Sequence, residues 1–469
     1  MISDLKPYAE YKDSGLPWLG RVPGHWVIKR AKSIFHCIDQ RSPTGKEELL
    51  SVSSAHGIVP RKTTKVTMFK AESYVGYKLC WPGDLVINSL WAWGGGLGVS
   101  KHHGIISTAY SVYRIRPNTP MMPDFIHEVV RSSSFNWELK VRSKGVWISR
   151  LQLTDISFLD APMYIPPLDE QAAIVRFLNY TNGRLERTIR AKRKTIALLN
   201  EQKQAIIHRA VTRGLDPDVP LKDSGIPWLG QIPAHWDVRK IKSLVKTVGG
   251  MTPNKGVERY WVGRTPWVSP KDMKVPEIFD SKDHISDAAL RETNIALISG
   301  PAVLIVVRGM ILARTFPTAV TRVPVTINQD MKALTPRLEL SVDYFALLLT
   351  GIQRELLELV EIAGHGTCCL RTDSWAAFCL PIPPLEEQIA IRKFLSTELA
   401  TSNTAISRLE REIELLREYR TRLVADVVTG KLDVREAAAL LPDEAAPDTV
   451  EDDTAPSIDP EAADEEAAV

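Results

Sequence analysis

The chain carries nearly the same text twice. Residues 12–26 read KDSGLPWLGRVPGHW and residues 222–236 read KDSGIPWLGQIPAHW, identical at 11 of 15 positions. Further along the chain, PPLDEQAAI at 166–174 returns as PPLEEQIAI at 383–391, identical at 7 of 9. The first pair lies 210 residues apart and the second 217, so the chain is a tandem duplication. Between the shared segments the two copies diverge almost completely. A constant frame with variable filling predicts one scaffold that presents two different recognition surfaces.

The stretch after each PPL is long and periodic. Proline suits the first turn of a helix, and Asp169 and Glu170, or Glu386 and Glu387, complement the helix dipole there. In the first copy Leu185, Ile189, Ile196, Leu199, Ile206 and Ala210 recur at steps of four and three, once Lys192 and Lys203 are counted in the seam. In the second copy Ile406, Leu409, Ile413, Leu416, Leu423 and Val427 do the same, with Arg420 in the place of Lys203. A period of about 3.5 residues held for more than three heptads predicts a coiled coil, most simply one in which the two stripes bury each other. The alternative is two helices each packed on its own domain. Lys203 and Arg420 in the seam would cost stability, set the register, or snorkel to the edge. Glycine ends each helix, in VTRGLD at 211–216 and VTGKLD at 428–433.

The variable segments, 27–165 and 237–382, read as mixed α/β. Strand-like runs fall at 84–93, 109–117, 302–313 and 332–340, and helix-like stretches at 125–141 and 342–360. The expected fold class is therefore α/β (α+β): two domains of mixed fold joined by two long helices in an antiparallel coiled coil, with a pseudo-twofold internal repeat. The expected divisions are 1–165, 166–221, 222–382, 383–434 and a tail, 435–469.

Composition bears on partners. The net charge of +3 hides an asymmetry: residues 436–469 hold twelve acids and no Lys or Arg, which leaves residues 1–435 at +15. The tail reads as solvating and disordered, and the body as a basic protein able to neutralise phosphates. The five cysteines show no CxxC pair and read as reduced thiols. No apolar run approaches the ~18 residues that cross a membrane, and the N-terminus lacks an apolar signal core, so a cytoplasmic protein is expected.

These motifs resemble a family. The DSG(L/I)PWLG…P.HW segment, the I-P-P-L-(D/E)-E-Q helix starts and TPNKGVERYWVGRTPWVSPKDMK at 252–274 are similar to the specificity subunit of type I restriction–modification systems. The likeness runs from residue 1 to about 434. It implies two target recognition domains, each reading one half of a split double-stranded DNA target, and a pair of spacer helices. It also implies docking of two modification subunits that methylate adenine, and of restriction subunits. By the same resemblance this chain binds no cofactor, while S-adenosylmethionine, ATP and Mg belong to the partner subunits. The seam from Leu185 to Ala210 would span roughly 39 Å, the length of about 11 base pairs. Because the variable domains differ, the target should be asymmetric.

Catalytic motifs are weak. Pro123-Asp124 followed by Glu138-Leu139-Lys140 mimics a nuclease pattern, but its surroundings read as helix and it has no counterpart in the second copy. The GGGLG at 94–98 lacks a phosphate-loop lysine and reads as a hairpin turn. His102-His103 has no ligand at metal spacing, and neither PPL is preceded by the acid or amide of a methyltransferase motif. No active site is expected. Two other classes stay open: a bare scaffold gathering two protein partners, and an enzyme in its own right.

DNA contacts call for cations on the variable domains. In the first domain the candidates are Arg61, Lys62, Lys65, Lys101, Arg142, Lys144 and Arg150. In the second they are Lys255, Arg259, Lys271, Lys274, Arg314, Arg322, His365 and Arg371. For any one of them, an ordinary solvated charge is the competing reading. Trp18, Trp26, Trp228 and Trp236 belong to the constant text and read as anchors on the helices.

Overall fold

The computed structural model describes residues 5–16, 18–63, 73–145, 151–337, 339–363 and 366–442. The chain divides into two compact units, Met1–Arg190 with Ile413–Val469, and Ala191–Glu412. Each long helix is cut by this division: Leu168–Arg213 has 46 residues and Leu385–Val428 has 44.

The repeated text folds the same way in each unit, for reasons visible in its residues. Strand Tyr11–Asp13 pairs antiparallel with Arg21–Pro23, and Leu221–Asp223 with Gln231–Pro233. Between them the DSG is a side-chain-capped turn. Asp13 Oδ1 accepts from the Gly15 amide at 2.8 Å, and Asp223 Oδ1 from the Gly225 amide at 2.9 Å. Both glycines have φ of +70°, which a side chain resists. Strand Val27–Arg30 then pairs with Pro162–Ile165, and Asp237–Lys240 with Cys379–Ile382, so each variable domain leaves the frame and returns to it on adjacent strands.

The Glu-Gln of each helix start locks that return. Gln171 is fully buried; its Nε2 donates to the Pro120 and Pro166 carbonyls, and its Oε1 accepts from the Met122 amide. Gln388 repeats this with the Glu339 and Pro383 carbonyls and the Ser341 amide. A buried amide so fully satisfied ties three chain segments together. Glu170 accepts from Trp26 Nε1 at 2.7 Å and from the Tyr8 hydroxyl, and lies 2.7 Å from His25 Nε2. Glu387 meets Trp236 Nε1 at 2.9 Å and His235 at 2.7 Å. These acids, expected to serve the helix dipole, thus also grip the HW of the opening text. Trp26 and Trp236 are anchors on the helices, whereas Trp18 and Trp228 turn to Trp137 and Phe378 of the variable domains.

The variable domains share a first strand pair and then part. In the first, a four-stranded antiparallel sheet runs Phe35–Ile38, Tyr110–Ile115, Leu85–Asn88, Leu97–Val99. In the second, a five-stranded sheet runs Val245–Gly249, Met331–Pro336, Val303–Val306, Thr318–Thr321, Glu277–Ile278, its last pair parallel. A further three-stranded sheet there joins Asp283–Ile285, Thr265–Val268 and Thr326–Ile327. The long run at 302–313 is a strand only to Val306. Gly309 at φ +139° leads instead into a 3₁₀ turn, Met310–Ala313.

The heptad stripe is the buried stripe. Ile413 is 6% exposed while Leu415, two residues on, is 47% exposed. Ile189, Ile406 and Leu423 are buried, and Leu185, Ile196, Leu199, Ile206, Leu409 and Leu416 are half-buried. In the second unit Lys192 pairs with Glu412 at 2.6 Å and Lys203 with Asn403, so the partner number falls as the residue number rises and the helices there run antiparallel. In the first unit Arg420 meets Glu186 at 3.3 Å. Both seam cations therefore reach a polar partner on the facing helix. Gly214 at φ +77° and Gly430 at φ +74° stop the helices.

The tail departs from expectation at its start. Arg435–Ala439 is helical, and Val434, Ala438 and Leu441 are buried in the core of the first unit. These apolar residues punctuate the acidic run at helical spacing. The acidic residues from 443 onward lie outside the described residues.

Candidate nucleic-acid interface

The cations nominated from the sequence fall into three groups once their neighbours are known. Four are engaged by carboxylates. Lys62 lies 2.6 Å from Glu48, and its hydrogen bond holds that carboxyl below its ordinary range. Arg142 meets Glu138 at 2.5 Å and Asp160 at 3.6 Å and is only 23% exposed, so it braces the end of helix Ser133–Arg142. Arg259 grips Glu292 with both terminal nitrogens, at 3.1 and 2.6 Å, and its guanidinium sits 5.4 Å from the Tyr260 ring centre. Arg322 donates to Glu277 and Asp343. Arg371 has a looser neighbour, Glu361 at 3.8 Å.

Six others stand exposed, and among the described residues no carboxylate pairs with them: Lys101, Lys144, Lys255, Lys271, Lys274 and Arg314. Lys144 is held by its backbone, which exchanges two 2.9 Å hydrogen bonds with Gln152. Lys271 rides on the short turn Pro270–Asp272, whose Ser269 and Asp272 cap each other. Arg61 begins a 3₁₀ turn after the hairpin of Leu50–Ser53 and Gly57–Pro60. Lys65, Arg150 and His365 lie outside the described residues. A cation paired with a carboxylate gives up that contact before it meets a phosphate, whereas an exposed cation without such a partner does not. The geometry thus ranks the six exposed cations above the paired ones as phosphate contacts.

Arg308 joins them from outside the sequence-based set. It is exposed, bridges Cys369 through its backbone, and precedes the 3₁₀ turn that Arg314 closes. Met310, 64% exposed, lies between them. The signal for it is the glycine in VVRGMILART, which breaks the strand and turns both arginines onto one loop.

The catalytic look-alikes resolve as structure. Asp124 sits in the first turn of helix Pro123–Arg131, and Glu138 is buried in the next helix against Arg142. The GGGLG joins two strands of one antiparallel hairpin. Among the described residues no three His, Cys, Asp or Glu side chains are grouped to hold a metal ion.

Residues 233–415 match the model of the type I restriction modification DNA specificity domain. Over this domain the chain is similar to the type I restriction–modification specificity family. The match opens on the Pro233 of the second PxHW and runs into the second long helix, so it takes in one whole turn of the repeated frame. A type I restriction enzyme specificity subunit of Escherichia coli is 33% identical over 178 residues, 38% of this chain and 44% of the relative. The MjaIX specificity subunit of Methanocaldococcus jannaschii is 30% identical over 173 residues, 36% of this chain and 39% of the relative. The chain thus spans less than half the length of these two curated relatives. A chain from a structural study of complex assembly and conformational transition in the type I restriction–modification system superposes with a TM-score of 0.61 at 18% identity. That superposition covers 88% of this chain and 99% of the other, and shows that the two share a fold. Among the described residues no helix is long and apolar enough to cross a membrane.

Proposed function

We propose that this chain is the non-catalytic DNA-recognition subunit of a type I restriction–modification complex. Its two target recognition domains each read one half of a bipartite, asymmetric double-stranded DNA sequence. Its frame docks modification subunits that methylate adenine N6, and restriction subunits. In this reading the chain itself binds no cofactor; S-adenosylmethionine, ATP and Mg act on the partners, and the complex works in the cytoplasm.

The observation that carries the reading is the contrast within the repeat. Trp26–Glu170–Gln171 and Trp236–Glu387–Gln388 repeat bond for bond, while the sheets they support differ in strand number and order. A frame held constant around unlike inserts is what a reader of two unlike half-sites requires. Exposed cations on both inserts supply phosphate contacts, which position a protein on DNA without specifying sequence.

The test is co-expression with the cognate modification subunit and single-molecule mapping of adenine methylation. A split motif with methylated adenines on opposite strands is expected, and replacing residues 27–165 should alter one half only. A stable complex that methylates no motif would turn the reading toward a scaffold.

A further inference from the structure

The last described residues end against the first long helix in a way that DNA recognition does not use. Leu441 is buried, and Arg176 donates to the Leu441 carbonyl at 2.7 Å and to that of Pro442 at 3.4 Å. Beside Leu441 lies a cavity of about 310 Å³ lined by Phe177, Tyr180, Thr181, Arg184, Leu185 and Thr188. These six recur at helical spacing, so they form one stripe of Leu168–Arg213, apolar except for its tyrosine and threonine hydroxyls and the single cation. Arg184, in the stripe, and Arg187, at its edge, extend the surface along the same helix. Both are exposed, and among the described residues no carboxylate pairs with them.

Past Pro442 the sequence continues for 27 residues with eleven acids and no Lys or Arg. Its first part, DEAAPDTVEDD at 443–453, alternates acids with Ala445, Ala446 and Val450. We propose that residues 443–453 dock back along this stripe, their small apolar side chains in the cavity beside Leu441 and their carboxylates against Arg184 and Arg187. The place where the described chain ends supports this, since Arg176 already delivers Pro442 to the rim of the cavity. Charge complementarity supports it too. Reach is ample: Arg176 to Arg187 is about 17 Å of helix, and ten extended residues span roughly 33 Å. Because the segment is tethered, an effective concentration near the millimolar range lets a weak intrinsic affinity suffice. The acidic segment would then occupy an arginine surface otherwise open to phosphates or to an acidic partner protein, and salt would release it.

The test uses the full chain with Arg184→Lys, whose fold is checked by thermal unfolding against the parent. Zero-length carbodiimide coupling at low salt, mapped by mass spectrometry, should join position 184 to a carboxylate within 443–453. The yield should fall severalfold when Arg187→Glu is added, and nearly vanish at about 1 M salt, where the Debye length is near 3 Å. Coupling of the acidic segment to Lys101 or Lys255 instead, equal yield with the charge reversal, or no coupling at all would overturn the proposal. A peptide of residues 443–453 added to the chain ending at Pro442 should protect the same position.

Discussion

Glu170 is a carboxylate with almost no water of its own, and Trp26, Tyr8 and His25 stand in for that water. Burial and the Glu170 bond together push the Tyr8 hydroxyl far above its ordinary range, so it stays a donor at any working pH. Removing the acid strands buried donors, which costs more than the bonds themselves contribute. Glu170→Ala should therefore lose about 3 kcal/mol, while Glu387→Ala, whose acid is a quarter exposed, should lose about 1–2 kcal/mol. Denaturant titration of both variants checks this, and equal losses would contradict it. His127 offers a second handle. Burial, with Arg131 and Lys101 nearby, pushes its imidazole down to about 4, while its Nδ1 accepts from the Val99 amide. Between pH ~6.5 and ~4 the unfolded chain binds a proton there that the folded chain refuses, so stability falls as pH drops through that window, by up to about 3 kcal/mol. Glu128 works in the opposite sense, because burial raises its carboxyl. His127→Gln leaves Glu128 in place, so its loss of stability from pH 7 to 4.5 should be smaller than the parent's.

At the scale of elements, the long helices carry a polar residue where an apolar one would pack. Lys203 lies half-buried in the seam, burial lowers its pKa, and it reaches Asn403. Lys203→Leu should raise the unfolding midpoint by an amount equal to about 1 kcal/mol, because a well-packed leucine contributes more there than a desolvated ammonium. A lower midpoint would mean that the Lys203–Asn403 bond outweighs packing. The seam itself is legible from sequence because a 3.5-residue period survives any neighbour. The roles of Glu170 and Gln171 are not, since their partners Trp26 and Met122 lie 144 and 49 residues away. For the same reason nothing local announces that Arg322 is paired, since it meets Glu277 and Asp343 only once the second domain has folded, whereas the i,i+4 spacing of Glu138 and Arg142 does announce theirs. The exposed cations Lys144 and Lys255 are legible, because exposure asks for no distant partner. The buried start of the tail is hidden because its twelve acids mask Ala438 and Leu441.

The whole molecule shows one junction made in two ways. In the second unit, Gly214 ends the first long helix against Trp236, and the chain runs on to the strand at Leu221. In the first unit, Gly430 ends the second long helix against Pro23 and Trp26, but the continuation is a different stretch of chain. The repeat offsets of 210 and 217 carry Lys6 and Asp433 onto one position, Asp216. There the Asp433 amide donates to the Lys6 carbonyl at 2.8 Å, and the Tyr11 hydroxyl reaches the Gly430 carbonyl at 3.1 Å. A non-covalent bridge thus replaces a peptide link. Gly430→Ala would put a Cβ 2.4 Å from Pro23 at φ +74°, and should lose more than about 2 kcal/mol and open residues 5–13 to proteolysis. Gly214→Ala should be milder, since its closest neighbour is the movable end of Glu387.

That bridge sets an order of events during synthesis. The unit Ala191–Glu412 is one continuous stretch, complete once residue 412 has left the ribosome. The other unit is begun first yet needs Ile413 onward, including Val427, Val434 and Leu441 of its core, and so is finished last. Until then Trp26, Ile174 and Leu178 lack part of their cover. The half of the protein that is translated first should be the half that a nascent-chain chaperone holds longest.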